Sequence, residues 1–532
     1  MSSLFLEIFS EEIPALLQNK AAEDLASSVI SLFVESCGKF TLNKKEVFVT
    51  PRRMGFYLEG LPDSIAPKKE IIRGPRLNAP DAAIQGFLRK YNLKDKNELS
   101  SEGDFYVYRQ VTEAIKMPAL AKELIEKALK NYVWPQSMRW GNNKERWVRP
   151  IHSISCLWGN QVVPVTFAGV TASNFTFGHR FMAPAKIIFN SYNPKFKLNE
   201  DYKSQLKDAF VILDPAERRQ SILKQIEDKT KDLGLSWRVD ASLLNEIAGL
   251  VEYPVVYLGR IRAEFMDLPP ELLVTVLRNH QRYIMLEDKH GNLTSYFVIV
   301  SNIKAENDGK KIIAGNTKVL EARLYDAKFF LDNDRKTTLE SKVEKLKILV
   351  YHAQIGTVYD HVMRVQQLST LIAKQLGLNE SLISRAAYLA KADLTTGIVG
   401  EFPELQGVMG YYYALHDGEE KEVAKAIAEH YKPQGLSDSL PNTEIGAALA
   451  LADKLCALNS FFAQGIRPTG SKDPYALRRA AIGVLRILEK FNWQLSFSQL
   501  QISQDVISFI LTRLDSLRIE GTLKENWQIN LV

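Results

Sequence analysis

The apolar and polar positions of this chain change rhythm along its length. "SLFLEIFS" (3–10) alternates like a strand, and "PALLQNKAAEDLASSVISLFVESC" (14–37) has helical apolar spacing entered at Pro14. "EVFVTPRRMGFYLEGL" (46–61) predicts two strands around Pro51-Arg52-Arg53, and "DFYVYRQV" (104–111) one more. "SISCLWGNQVVPVTFAGV" (153–170) predicts two strands about Gly159-Asn160. In "LDPAERRQSILKQIEDKTKDLG" (213–234), Asp214 suits an N-cap, Pro215 the first helical position and Glu217 a capping box. "PVVYLGRI" (254–261) and "SYFVIVSNI" (295–303) read as buried strands, and "PELLVTVLRNHQRYIM" (270–285) as a helix between them. "GNTKVLEARLYDAKFFLDNDR" (315–335) is a long amphipathic helix.

From about Lys336 the 3.6-residue period dominates, at 340–350, 357–376, 380–396, 419–430, 443–463 and 474–490, and again over 495–521. The expected fold is an α+β N-terminal half followed by a mostly α half. Four divisions are expected: a mixed α/β region over 1–180, a second α+β region over 181–335, a helical domain over 336–494, and the start of another helical domain over 495–532. The last stretch, "TLKENWQINLV", has no fold of its own by this reading.

Composition narrows the class. With 532 residues, 46% hydrophobic and 24% charged, the chain can bury several cores. A net charge of +6 permits a nucleic-acid partner without requiring one. Cys37, Cys156 and Cys456 form no CxxC pair, so neither a zinc ribbon nor a disulfide framework is indicated, and a reducing compartment fits. The start "MSSLFLEIFSEEIPALL" carries acids early and lacks a basic n-region, so no signal peptide is expected. No apolar run approaches the ~18 residues of a membrane span. A soluble, cytoplasmic protein without a membrane partner is expected.

One stretch invites a specific test. "GIRPTGSK" (465–472) has the glycine spacing of the phosphate loop G-x-x-x-x-G-K-[ST], but Ser471 and Lys472 stand in swapped order. A phosphate loop follows a strand, whereas "EIGAALALADKLCALNSFF" (444–462) before it is helical. After it, Asp473 reads as an N-cap and Pro474 as the first helical residue. The stretch therefore joins two helices. Arg467, Lys472, Arg478 and Arg479 still gather at a helix N-terminus, whose free N–H groups suit phosphate. A solvated basic face is the competing reading.

The helical domain resembles HD-type phosphohydrolase domains, in which a His, a His-Asp doublet and a late Asp gather metal ions. "YDHVMRVQQLS" (359–369) offers His361, "AAYLAKADLTT" (386–396) Asp393, "EHYKP" (429–433) His430 and "LADKLCAL" (451–458) Asp453. Ala392 stands where the doublet's His belongs. Water activation needs a complete ligand set. A metal-dependent phosphohydrolase is therefore the alternative, and a degenerate scaffold without metal or catalytic residues the expectation.

A second resemblance is specific. "KADLTTGIVGEFPELQGVMGYYYALHDGE" (391–419), "AIAEHYKP" (426–433), "LADKL" (451–455) and "PTGSKDPYALRRAA" (468–481) closely resemble the beta subunit of bacterial glycyl-tRNA synthetase. So do "LEIFSEEIPA" (6–15), "TPRRM" (50–54), "RGPR" (73–76), "MRWG" (138–141), "VRPIHSI" (148–154) and "GHRF" (178–181). "LVEYPV" (250–255), "LRNHQRYI" (277–284) and "ARLYDAKFF" (322–330) continue the match, which runs to about residue 520. The resemblance implies a subunit of glycine–tRNA ligase, an aminoacyl-tRNA synthetase of two alpha and two beta subunits. It implies adenylation with ATP and magnesium on the alpha subunit, and no cofactor in this chain. The partners implied are that alpha subunit and tRNA(Gly). Three departures stand out: Cys456 where the family usually has Asp, Ser153 where it usually has Trp, and a C-terminus at which the family continues into a helical anticodon-binding domain. Only the start of that domain is expected here, in "DVISFILTRLDSL" (505–517), so the chain reads as truncated relative to the family.

RNA recognition needs spaced cations on a rigid scaffold, with aromatics for unpaired bases. The tRNA-binding candidates are Arg52, Arg53, Arg73, Arg76, Arg139 (beside Trp140), Arg467, Lys472, Arg478 and Arg479, each of which equally suits a salt bridge or a solvated surface. Trp140 and Trp147 also suit a core. Structural hydrogen bonding is expected of His152, His179 and His280.

Overall fold

A computed structural model describes residues 2–65, 69–111, 115–189, 198–470, 472–519 and 527. The chain divides into two compact units. One comprises Met1–Gly259 with Arg282–Gly315, the other Arg260–Gln281 with Asn316–Val532.

The first unit is built on a five-stranded antiparallel sheet, ordered Gln161–Val162, Ile151–Trp158, Ser2–Ser10, Arg53–Leu61 and Lys44–Val49. Leu4, Leu6 and Ile8 lie in one core with Leu25, Val29 and Phe33 of the helix Ala15–Cys37 and Leu124, Ile125 and Leu129 of the helix Met117–Asn131. Phe5 belongs to a second core with Phe48, Phe189, Tyr202 and Leu206. Successive strand side chains point to opposite faces. Both faces are covered, which is why "SLFLEIF" is nearly apolar throughout instead of alternating. Each buried Phe or Leu here contributes roughly 1.5–3 kcal/mol by leaving water. Gly55 pairs with Glu7, and a Cβ added at Gly55 would lie 2.7 Å from the Phe48 ring.

A four-stranded sheet follows in the order Ser236–Trp237, Ile284–Glu287, Leu293–Ser301 and Val255–Arg260. The helices Pro215–Thr230 and Ala241–Ala248 pack on it through Ile222, Ile226, Leu243, Leu244 and Ile247. Asp214 caps Ala216 N as expected, but Glu217 pairs with Lys207 at 2.8 Å and completes no capping box. The helix expected over 270–285 is shorter. Pro270–Thr275 is α-helical and Val276–His280 is a π turn, while Ile284–Glu287 pairs as a strand with Leu293–Ser301.

In the second unit the helix Glu444–Ala463 is central. It packs against Val358–Leu376, Lys421–Glu429 and Leu477–Phe491. By length and composition it could cross a membrane, but 72% of its most apolar 18-residue window is buried in the protein. A helix apolar all round belongs in a core. Thr357 and Asp360 form a capping box at the start of Val358–Leu376, and left-handed Gly377 ends it. The helix expected over 495–521 begins only at Gln504 and runs to Ile519. Ser471 of the glycine-rich stretch and most of 520–532 lie outside the described residues. All three cysteines are free thiols.

Candidate nucleic-acid interface and the charge cluster of the helical unit

The stretch 465–472 does join two helices. Gly465 (φ 70°) and Gly470 (φ 49°) take left-handed backbone in the turn between Glu444–Ala463 and Leu477–Phe491. Asp473 is the cap, but the helix starts at Leu477, three residues later than Asp473-Pro474 suggests, behind Ala476 in the left-handed region (φ 55°). The Asp473 carboxylate accepts from the N–H groups of Leu477 and Arg478, both at 2.9 Å. This corrects the expectation of free N–H groups at that end: a carboxylate of the protein already occupies the place a phosphate would take.

Anion affinity here therefore rests on side chains. Arg467 pairs with Asp505, and Arg478 donates to Gly470 O at 2.6 Å, closing the turn. Lys472 and Arg479 are exposed, with no side-chain partner among the described residues. Beside them is an aromatic group that the sequence reading missed. Tyr475, 42% exposed, stacks on Phe461 with centroids 4.5 Å apart, and its hydroxyl lies 3.2 Å from His352 Nε2. Its signal was available, since Tyr475 sits inside the basic string "SKDPYALRR".

The other cations are scattered over the first unit. Arg73 and Arg76 are exposed and stand 3.6 and 5.6 Å from the Phe105 ring centroid. Arg139 is exposed, Trp140 packs on the first core and Trp147 is inside it. Two candidates need correcting. Arg53 is fully buried, ion-paired to Glu252, 3.6 Å from Glu7, and donating to Phe177 O and Gly178 O. Arg52 is 9% exposed, donates to Ser10 O at 3.2 Å and lies over Phe9. Both guanidiniums are committed inside the protein and unavailable to a phosphate. Burial raises the Glu7 carboxyl, whereas at Glu252 Arg53 and the Thr50 hydroxyl outweigh burial and hold it below the usual carboxylate range. Arg218, also missed, is buried and donates to four backbone carbonyls, those of Val49, Ile212, Leu213 and Ala248.

His152 bonds Glu11 at 2.7 Å, buried His179 accepts from the N–H groups of Phe181 and Met182, and exposed His280 meets the Phe402 ring edge-on.

Three of the four HD-like positions converge inside the helical unit. His361 Nε2 lies 2.9 Å from Asp453 Oδ1, with Tyr351 stacked on the imidazole at 4.2 Å. Between Asp453 and His430 stands a residue the sequence reading passed over. Lys391 Nζ is 3.0 Å from Asp453 Oδ1 and 3.2 Å from His430 Nε2, over the Tyr431 ring. His430 Nδ1 is 2.7 Å from Ile427 O, so it carries the proton and Nε2 accepts from the ammonium. Burial, then Lys391, push His430 down to about 3, and burial holds His361 below its usual value. Burial alone would raise Asp453, but Lys391 and His361 overcome it and hold the carboxylate far below its ordinary range. Cys456, 3.7 Å from His361 Nδ1, is pushed up to about 11 by burial and is a poor thiolate.

Asp393 does other work. It accepts from the N–H groups of Gly407 and Gly410 and so caps the helix Val408–His416. A Cβ at Gly410 would come 2.6 Å from Ile427, so only glycine allows that approach. Burial raises Asp393 to about 6 despite these bonds. Among the described residues no group of three or more His, Cys, Asp or Glu is placed to hold a metal ion. A metal does not fit this donor set, because the Lys391 ammonium is already the cation that Asp453 and His430 surround.

The family model for the glycyl-tRNA synthetase beta subunit matches residues 4–527. The glycine–tRNA ligase beta subunit of Cereibacter sphaeroides is 43% identical over 499 residues, covering 92% of this chain and 70% of that one. Those of Rickettsia conorii and Phenylobacterium zucineum are each 41% identical, covering 94% and 97% of this chain and 73% and 76% of theirs. A solved phosphodiesterase HD domain from L. monocytogenes, in complex with cyclic-di-AMP, matches 34% of this chain and 96% of its own at 12% identity, with a TM-score of only 0.20. Matched almost end to end at this identity, the chain belongs to the glycyl-tRNA synthetase beta subunit family, whose members are subunits of an aminoacyl-tRNA ligase.

Proposed function

We propose that the chain holds tRNA(Gly) as the beta subunit of a cytoplasmic assembly of two alpha and two beta subunits, with glycine activated by ATP and magnesium on the alpha subunit. The observation that carries the reading is the 465–479 turn. Lys472 and Arg479 are exposed cations, without a side-chain partner among the described residues, beside the Tyr475–His352 ring pair, on a turn that Asp473 and Arg478 tie down. Exposed cations on an anchored turn, with an exposed ring beside them, suit phosphates and an unpaired base. Arg73, Arg76 and Arg139 are secondary contacts in this reading, and Gln504–Ile519 is the start of the anticodon-binding domain. The phosphohydrolase alternative lacks a complete ligand set, and Lys391 occupies the position such a set would need.

Replacing Lys472 and Arg479 by Ala tests the reading. Each lost phosphate contact lowers the log–log salt slope by about 0.9 on duplex or 0.7 on single strands. The pair should therefore flatten the slope of tRNA(Gly) binding by about 1.4–1.8. An unchanged slope in filter-binding titrations counts against the turn as the interface.

A further inference from the structure

Where the helix Met117–Asn131 ends, the first unit has a cavity of about 490 Å³. Tyr132, Trp134 and Phe167 give it ring walls, and the buried Trp147 backs them. Trp147 lies 5.1 Å from Trp134, 5.7 Å from Tyr132 and 5.5 Å from Phe167 by ring centroids. The rings support one another, so these walls are preformed. Lys130, Lys144 and Arg146 line the same cavity against one carboxylate, Glu145. Arg146 is fixed by two bonds to Ser137, to Oγ and O, each 3.0 Å. Lys130 and Lys144 are exposed, with no side-chain partner among the described residues.

Flat apolar walls, an excess of cations and a volume within the ~300–1,000 Å³ of small-ligand sites favour a planar ring that carries an anion. We infer that this cavity binds a nucleotide unit, with its base against the Tyr132 and Trp134 rings and its phosphate on Lys130 and Lys144. The unit can come from an unpaired stretch of RNA or from a free nucleotide. Stacking on aromatic side chains tolerates any base, so the site reads the presence of an unpaired base and not its identity. It is separate from the 465–479 turn and does not depend on the role proposed for that turn.

The test uses the full chain with Lys472 and Arg479 already replaced by Ala, so that the turn contributes nothing. Fluorescein-labelled A6 and U6 ribonucleotides are titrated by anisotropy, with AMP as competitor. Adding Lys130→Ala and Lys144→Ala should weaken both hexamers at least tenfold and reduce the salt slope by about 1.4. Tyr132→Leu should weaken them about tenfold at unchanged slope, because it removes stacking and no charge. Displacement by AMP identifies a free nucleotide as sufficient, and no displacement assigns the site to RNA. Unchanged hexamer affinity in the lysine pair overturns the inference. A Tyr132→Leu variant that folds and binds as before also overturns it, because a diffuse basic surface would then explain the binding. Loss in the lysine pair would stand even if the turn proved irrelevant to tRNA.

Discussion

Lys391→Met is the sharpest perturbation of the helical unit. Methionine keeps the length of the side chain and removes its charge. Lys391 and Asp453 side chains are 7% and 16% exposed and 3.0 Å apart. At an effective dielectric near 20, two charges at that distance attract by about 5–6 kcal/mol. Much of this offsets the desolvation of both ions, but the variant takes away the cation nearest to buried Asp453 and leaves it His361 at 2.9 Å and the more weakly charged Lys454, which burial pushes down to about 8. Breaking a buried pair from one side costs about 3–5 kcal/mol. The loss should depend on pH. Lys391 is one of the groups that keep His361 unprotonated, and Asp453 favours its protonation. With Lys391 gone, His361 can take a proton and replace the missing cation, so the deficit should shrink as pH falls from 8 to about 5.5. Hydrogen exchange of the Glu444–Ala463 amides reads the stability of this unit locally, which suits a chain of two units. Protection within ~0.5 kcal/mol of the parent, or a deficit that ignores pH, would refute Lys391 as the internal cation.

The same amides should show an unusual acid profile. His430, pushed down to about 3, lets the unfolded chain take a proton first, so stability falls with pH from 6.5 to 3 by about 1.4 kcal/mol per unit. Asp393, raised to about 6, works the other way: the folded chain takes its proton first, so stability rises as pH falls from 6 to 3.8. The two slopes offset each other between pH 6 and 4, and below that Asp453 adds to the loss. Asp393→Asn removes the offset and should expose a slope of about 1.4 kcal/mol per unit between pH 6 and 4, where parallel curves for parent and variant would contradict the assignment.

Much of the helical unit was legible from local signals. Thr357, Gly377 and Thr443 mark helix ends by side-chain oxygen or left-handed backbone, and the long apolar periods lie between them. What was not legible depends on partners distant in sequence. Ile284-Met285-Leu286 fits a helix or a strand equally well, and the strand Leu293–Ser301 decides the outcome. Arg52 and Arg53 look alike in the sequence. Arg53 pairs with Phe9 across the sheet, on the face that also holds Glu7, and it meets Glu252 about 200 positions away. Lys391 reads as an ordinary surface lysine until Asp453 and His430 are brought around it. The basic turn was recognised from composition, but its chemistry depends on Asp473, Arg478 and Tyr475, whose bonds no local pattern specifies.

The most direct test of the account is charging by the reconstituted enzyme. This chain is combined with the alpha subunit, glycine, ATP, magnesium and tRNA(Gly), and glycine attachment is measured with and without Lys472→Ala and Arg479→Ala. Charging should require both chains, and the double variant should raise KM for tRNA about tenfold or more with kcat nearly unchanged, as expected when binding is lost equally from ground and transition states. Charging that proceeds without this chain, or a double variant with an unaltered KM, would contradict it.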